Sequence, residues 1–415
     1  MKKKFPIQND AACMYKWTWS TLFLSRGKTS SCHRGRHWEF DVDTMKDFHN
    51  HPGKLGDREK MLKGEWPGNG CEYCRDVEAA GGVSDRTGYV NDAIELLPPE
   101  FETQEAPLSV TPKLLEIYFN NVCNQSCTYC TPGFSSQIEQ EVRKFGPSEF
   151  SFDYSHWVPD TNYQLYKEKF WEWMRENGNK LEILHVLGGE PLYIKEFEEC
   201  LDFFDKNPCP NLTWRVFSNL KHDSDKFKEK IERIQNLILE GKLKRIDFIC
   251  SMDCWGPEIE YVRDGVVLEQ WEKNMNILLD HDMVGITIHA TLTALTLVTF
   301  YQLMEKAMEW RNRHDLNVSW NTVQRPECWT PYHFGPTLLP FIDKALDVLT
   351  KAGEREENII HLTGIRKQLE SSTIDKGGVN RLVGFLDDID KRRSRDWRKI
   401  FPDIVRIVDE INNDK

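Results

Sequence analysis

Long apolar runs are what this chain most plainly lacks. Nowhere do its 415 residues offer the roughly 18 consecutive apolar side chains that cross a bilayer. The basic start Met1-Lys2-Lys3-Lys4 is followed by no hydrophobic stretch of the kind a secretory signal carries. No membrane span is expected, and the expected location is the cytoplasm. An excess of positive charge is missing too: 54 Lys and Arg against 66 Asp and Glu leave a net −12, which makes nucleic-acid binding an unfavoured reading. Only residues 1–75 run the other way, with 14 Lys and Arg against 9 Asp and Glu, read as an ordinary solvated surface. No internal repeat or low-complexity tract is evident, so this length is expected to hold one large α/β domain with smaller appendages. Cysteine, by contrast, is not scarce. Twelve cysteines without a secretory signal argue for metal or redox chemistry rather than a disulfide framework.

Three of them stand together. Leu114, Ile117 and Phe119 sit in a run of β-formers that Asn120 and Asn121 end, so a strand empties into a loop. Cys123, Cys127 and Cys130 follow in the pattern C-x-x-x-C-x-x-C. Three thiolates on one short loop can wrap a single metal group, and soft sulfur favours iron–sulfur, zinc or copper(I). No fourth ligand lies nearby, the next cysteine being Cys200. A structural zinc site is normally closed by four protein ligands, whereas three leave a position free for substrate or cofactor.

From Leu114 onward strands and helices alternate. Strands are expected over Leu114–Asn120, Leu181–Leu187, Leu212–Ser218, Arg245–Met252, Val284–Thr291 and Asn317–Val323. Helical patterns lie between them, over Tyr163–Asn177, Ile194–Lys206, Lys226–Leu239, Val267–Leu279 and Thr299–Arg311. Crossovers of that length imply a parallel sheet. Three strand ends carry further polar residues. Gly188-Gly189-Glu190-Pro191 follows the second strand, its glycines allowing close backbone approach to a ligand and Glu190 offering an acceptor for an ammonium group. Ser218-Asn219 follows the third and reads as ribose-binding or as a simple turn. Ser251-Met252-Asp253-Cys254 follows the fourth, and Tyr261-Val262-Arg263-Asp264-Gly265 comes after it.

Taken together, these residues resemble the radical S-adenosylmethionine (SAM) enzymes. The resemblance rests on the three cysteines with Tyr129 before the last, the G-G-E-P turn, and the S-x-D with Y-x-x-R-x-G pairing. It implies a partial (β/α)6 TIM-like barrel over 96–330, with its chemistry at the carboxyl ends of the strands. It further implies a [4Fe–4S] cluster on Cys123, Cys127 and Cys130, whose fourth iron chelates SAM. Reductive cleavage of SAM would then yield a 5′-deoxyadenosyl radical that abstracts hydrogen from substrate. Tyr129, Gly188, Gly189, Glu190, Pro191, Ser218, Asn219, Ser251, Asp253 and Arg263 would surround SAM, Arg263 holding its carboxylate. An external one-electron reductant of flavodoxin or ferredoxin type is the implied partner. Two departures stand out: Cys254 replaces the glycine expected there, and the fifth strand lacks the G-x-I-x-G-x-x-E seen in part of the family.

Residues 1–95 lack long-helix periodicity and need a staple, which Cys13, Cys32, Cys71 and Cys74 could provide as iron–sulfur, zinc or free-thiol sites. The segment resembles the SPASM or twitch modules attached to many radical SAM enzymes, though those usually follow the barrel. The resemblance implies one auxiliary [4Fe–4S] cluster. Relatives with such modules modify peptides or proteins, and others modify sugars or nucleosides. The expected substrate is a peptide or protein, with a metal-stabilised scaffold as the non-enzymatic alternative. Cys200, Cys209, Cys250, Cys254 and Cys328 read as buried thiols, and His185 and His289 as core histidines. The aromatic, turn-rich segment 324–336 either caps the barrel mouth or merely leads on. Residues 331–415 read as a helical extension, in which Lys391–Arg395 is expected to be a solvated helix end.

Overall fold

The computed structural model describes residues 6–413 apart from 8, 69, 83, 89–96, 103–104 and 151–159. Its centre is one nine-stranded, mostly parallel sheet in an α/β arrangement. Six strands follow the chain in order: β4 (Leu114–Tyr118), β5 (Ile183–Leu187), β6 (Cys209–Ser218), β7 (Leu243–Ser251), β8 (Val284–Leu292) and β9 (Leu316–Thr322). Each pairs parallel with the next. Helices Tyr163–Asn177, Lys195–Lys206, Ser224–Leu239, Leu268–Leu279 and Phe300–Arg311 make the crossovers.

Three strands in the first 95 residues were not expected. They are β1 (Trp19–Phe23), β2 (Lys28–Ser30) and β3 (Trp38–Glu39). β1 lies parallel beside β4, with Trp19 opposite Leu114, and β2 and β3 continue the sheet antiparallel. These runs are too short, and too mixed with turn residues, to show an alternation. The cysteine-rich segment is therefore part of the central sheet, and the expected boundary at 95–96 lies outside the described residues.

The two faces of this sheet differ. A parallel sheet covered on both sides reads as continuously apolar, but β6 to β9 alternate buried and half-exposed residues. One face carries Trp214, Phe248, Ile288 and Trp320 into the helix-covered core. Trp214, for example, is stacked on Phe197 with centroids 4.9 Å apart. The other face carries His185, Arg215 and Asp247, in register across three neighbouring strands, and nearer the carboxyl end Thr287 and the register pair His289 and Ser319. Its carboxyl end is where the site forms.

The tail folds into helices Leu339–Lys351, Glu356–Ser371, Lys376–Arg393 and Pro402–Asn413. Segment 324–336 does more than lead into it. Trp329 is buried edge-on between Tyr129, at 6.2 Å, and Phe385 of the tail, at 5.8 Å. Among the described residues no helix is long and apolar enough to cross a membrane.

Candidate functional site

The loop after β4 is held in place by backbone bonds from other strand ends. The Glu190 N–H donates to Val122 O at 2.8 Å, Ser126 N–H to Asp264 O at 2.8 Å, and Thr128 N–H to Val262 O at 2.8 Å. The two glycines of G-G-E-P serve this packing. A Cβ on Gly189 would sit 2.0 Å from Val122 O, and one on Gly188, whose φ is +133°, 2.6 Å from Asn120 O. Their smallness thus brings backbone against the cysteine loop, and both glycines also border the cavity that opens above it.

A cavity of about 310 Å³ opens above the loop. Cys123, Cys127, Tyr129, Cys130, Gly188, Gly189, Glu190, Ser218, Asn219, Ser251 and Arg263 all border it. Pro191 and Asp253 do not: Pro191 is buried in a 3-10 turn, and Asp253 lies fully buried behind the wall. A wider cavity of about 760 Å³, bordered by Asn124, Lys221, His222 and Lys226, adjoins the first and shares Gln125 and Asn219 with it.

The charged residues of the wall are largely bound to one another. Arg263 grips Asp253 through Nε and Nη2 at 2.9 and 2.8 Å. Tyr129 Oη donates to the same carboxylate at 2.6 Å, and Thr291 N–H at 2.8 Å. The remaining guanidinium nitrogen lies 4.0 Å from Cys127 Sγ. Glu190 accepts from Ser218 Oγ at 2.8 Å, Asn219 N–H at 2.6 Å and Leu192 N–H at 3.1 Å. Burial nevertheless outweighs these donors and pushes its carboxyl up to about 7. The Asn219 side chain is engaged too, donating to Asn124 Oδ1 at 2.9 Å. Ser218 and Asn219 therefore act first as turn and loop fasteners.

Some contributors were missed. Tyr118, Phe134, Phe217, His289 and Thr291 also border the cavity. His289, expected in the core, lies half-buried there with Nδ1 2.9 Å from Ser319 Oγ. The alternation of β8 held that signal, since Ile288 and Ala290 go to the core and His289 must face away. Cys254 is fully buried and does not border the cavity. The expectation for 391–395 holds only in part: helix Lys376–Arg393 ends here with Lys391, Ser394 and Arg395 exposed, but two arginines are engaged. Arg393 is half-buried, donating to Ser126 O of the cysteine loop at 2.7 Å and to Glu141 at 2.8 Å, while Arg395 pairs with Asp264. A dense charge run looks solvated until its partners, more than a hundred residues away, are known.

The cysteines themselves are ambivalent as free thiols. Burial pushes Cys123 up to about 12 and raises Cys127 and Cys130 as well. Among the described residues no three His, Cys, Asp or Glu side chains converge tightly enough for a single metal ion. A zinc ion at about 2.3 Å from each sulfur would draw the sulfurs to roughly 3.8 Å of one another. Gln125 offers a test of fit. Its Oε1 lies 3.6 Å from Cys127 Sγ, and its Nε2 is buried without a partner among the described residues. A metal-bound thiolate has no proton to give and accepts instead, so turning this amide end for end would direct the orphan N–H at the sulfur. The donor set fits a metal–thiolate group.

Though no three of them converge closely enough for a single metal ion, Cys13, Cys32, Cys71 and Cys74 all border one void of only about 30 Å³. Gly70 makes this possible: its φ is +100°, and a Cβ there would lie 2.1 Å from Arg34 O in the turn after Cys32. Ser31 Oγ borders the void, buried and without a partner among the described residues. No protein-family model matches the chain, and no curated protein is detectably similar to it.

Proposed function

We propose that this chain is a radical SAM enzyme, with Cys123, Cys127 and Cys130 as ligands of a [4Fe–4S] cluster and β4 to β9 as a partial (β/α)6 barrel. The observation that carries this reading is the meeting of three cysteines, G-G-E, Ser218, Asn219, Ser251 and Arg263 in one cavity at the strand ends. A cluster held by these three cysteines and reduced by an external flavodoxin- or ferredoxin-type carrier would supply one electron for cleavage of the SAM sulfonium.

The chain's own residues position and shield. Glu190 has one acceptor site left beyond its three donors and can take an ammonium hydrogen bond, which would hold it ionised. Arg263, fixed by Asp253, presents its free nitrogen toward Cys127 and the cavity. Tyr118, Phe134 and Phe217 give the lining apolar surface, and His289 adds a polar group to it. The N-terminal four cysteines are proposed as an auxiliary metal site, iron–sulfur in preference to zinc. We take the substrate to be a peptide or protein, with a sugar or nucleoside as the alternative, and the setting to be the cytoplasm.

Anaerobic reconstitution with iron and sulfide tests this. Iron and sulfide near two clusters, with 5′-deoxyadenosine formed from SAM and reductant, is the expected result. Protein that takes only zinc and leaves SAM intact under strong reductant supports the scaffold reading instead.

A further inference from the structure

β1 runs parallel to β4 with Phe23 opposite Tyr118, so the chain leaves both strands at the same end of the sheet. The 3-10 turn Leu24–Arg26 follows at once and carries Arg26 to the edge of the open cavity, which Tyr118 and Phe134 border. The half-buried guanidinium is held there by Nη2, which donates to Gly133 O at 2.6 Å. Gly133 leaves it room, since a Cβ on that residue would collide with Nη2. The guanidinium carbon lies 5.9 Å from the centre of the Phe23 ring and 5.6 Å from that of Phe134, which is 40% exposed. Tyr118 completes the group, stacked on Phe23 at 4.8 Å and 5.5 Å from Phe134.

No carboxylate among the described residues pairs with Arg26. The acids of the neighbouring elements are committed elsewhere: Glu116 accepts from Thr21 Oγ1 at 3.1 Å, Asp160 from Tyr166 Oη at 3.2 Å, and Glu39 pairs with Lys28 at 3.2 Å. Of the five N–H groups of a guanidinium, four thus have no acceptor among the described residues. The Tyr118 hydroxyl makes no hydrogen bond among them either. A cation and a hydroxyl, both with donors to spare, stand beside apolar rings at the edge of one cavity.

We propose that Arg26 selects the substrate by taking a carboxylate of it through these N–H groups, with the Tyr118 hydroxyl as a second donor and the Phe134 ring against the adjoining apolar part. The proposal rests on the reading of this cavity as the SAM site. On a peptide the group is an Asp or Glu side chain or the C-terminus, and the planar fork of a guanidinium matches its two oxygens. Charge favours a carboxylate over a phosphate dianion. Arg26 cancels one negative charge, and no second cation is free beside it: Lys28 is bridged to Glu39. The His37 imidazole, 4.4 Å from the Phe23 ring, is held below its ordinary value by burial and by the Arg26 and Lys28 charges.

The test uses the full-length reconstituted protein with SAM, and N-acetylphenylalanine and its amide as probes. Phenylglyoxal modifies accessible guanidinium groups, and mass spectrometry reads the rate at Arg26. The acid should protect Arg26 at a concentration about tenfold lower than the amide, the worth of one charge-assisted hydrogen bond. Binding by equilibrium dialysis should show the acid weakened about as much in Arg26→Met and partly restored in Arg26→Lys, with the amide unchanged in both. Circular dichroism and iron content check that the variants fold. Equal protection by acid and amide, protection by neither, or acid binding that ignores Arg26→Met overturns the proposal and leaves Arg26 as a fastener of Gly133. Phenyl phosphate protecting better than the acid overturns the choice of carboxylate. Failure of the same protein to cleave SAM under reductant overturns the radical SAM reading instead, independently of how the probes compare.

Discussion

The two cysteine pockets solve opposite problems. The central one takes three cysteines from a single loop and keeps about 310 Å³ open beside them. The N-terminal one gathers four cysteines from turns far apart in sequence and leaves about 30 Å³. Their electrostatics are alike in one respect, because the lining ions of both are matched: Arg263 with Asp253 at the central pocket, and Lys16 with Asp57, Arg34 with Asp85 and Arg86 with Glu78 at the N-terminal one. What differs is the space, and an open pocket suits a site that exchanges ligands whereas a closed one suits a group that stays.

The largest effect should come from breaking the open pocket outright. Changing Cys123, Cys127 and Cys130 together to Ala should abolish SAM cleavage and remove about half of the reconstituted iron. The N-terminal complement should remain, measured by iron and sulfide content. Loss of all iron would mean that the pockets are not independent and the contrast between them is false.

Next in size is the matched ion pair. Asp253→Ala leaves Arg263 buried with no carboxylate and also strips Tyr129 Oη and Thr291 N–H of their acceptor. Loss of one partner of a buried pair costs about 3–5 kcal/mol, read as a lower urea midpoint of the metal-free protein. A cost under about 1 kcal/mol would show that the pair is not what neutralises this pocket.

Glu190 sharpens the comparison through pH. Its folded value is raised from the ordinary 4.5 to about 7, so the folded state binds the proton more tightly than the unfolded chain. Its contribution is therefore fully present below pH 4.5 and is lost as pH rises through 7, by roughly 3 kcal/mol. Denaturation of the metal-free protein between pH 5 and 8 should show this fall, and Glu190→Gln should flatten it. A saturating ligand that places an ammonium beside Glu190 should do the same without mutation.

How much of this could be read in advance follows from where the signal lies. The six strands β4 to β9 and their crossover helices were legible, because β-forming runs of 5 to 10 residues alternate with helical periods of 12 to 16. The central site was legible as residue types, since each lies at the end of a readable strand. Its bonding was not: nothing local tells that Arg263 spends its fork on Asp253, or that the G-G-E-P glycines meet the cysteine loop. β1 to β3 escaped because short strands owe their existence to β4 beside them, a tertiary cause. Arg393 escaped for the same reason, as its partners lie on Ser126 and Glu141.

That arginine offers the finest test of what holds the open pocket's shape. The cysteine loop has two kinds of fastening: backbone bonds from neighbouring loops, and the tail's Arg393, which donates to Ser126 O, next to Cys127. Ser394, at φ +54°, ends helix Lys376–Arg393 and turns the chain so that Arg395 reaches Asp264, whose carbonyl accepts from Ser126 N–H. The tail thus grips the loop and its support at once. Arg393→Met keeps most of the side chain's apolar volume and removes only the charged donors, at about 1.5–3 kcal/mol if the bonds are fully formed. Part of that loss should appear locally, as faster amide exchange over 123–130 with little change over 13–74. The closed pocket has no contact with the tail through this residue, so equal acceleration in both segments would mean that Arg393 supports the fold at large and not the cysteine loop.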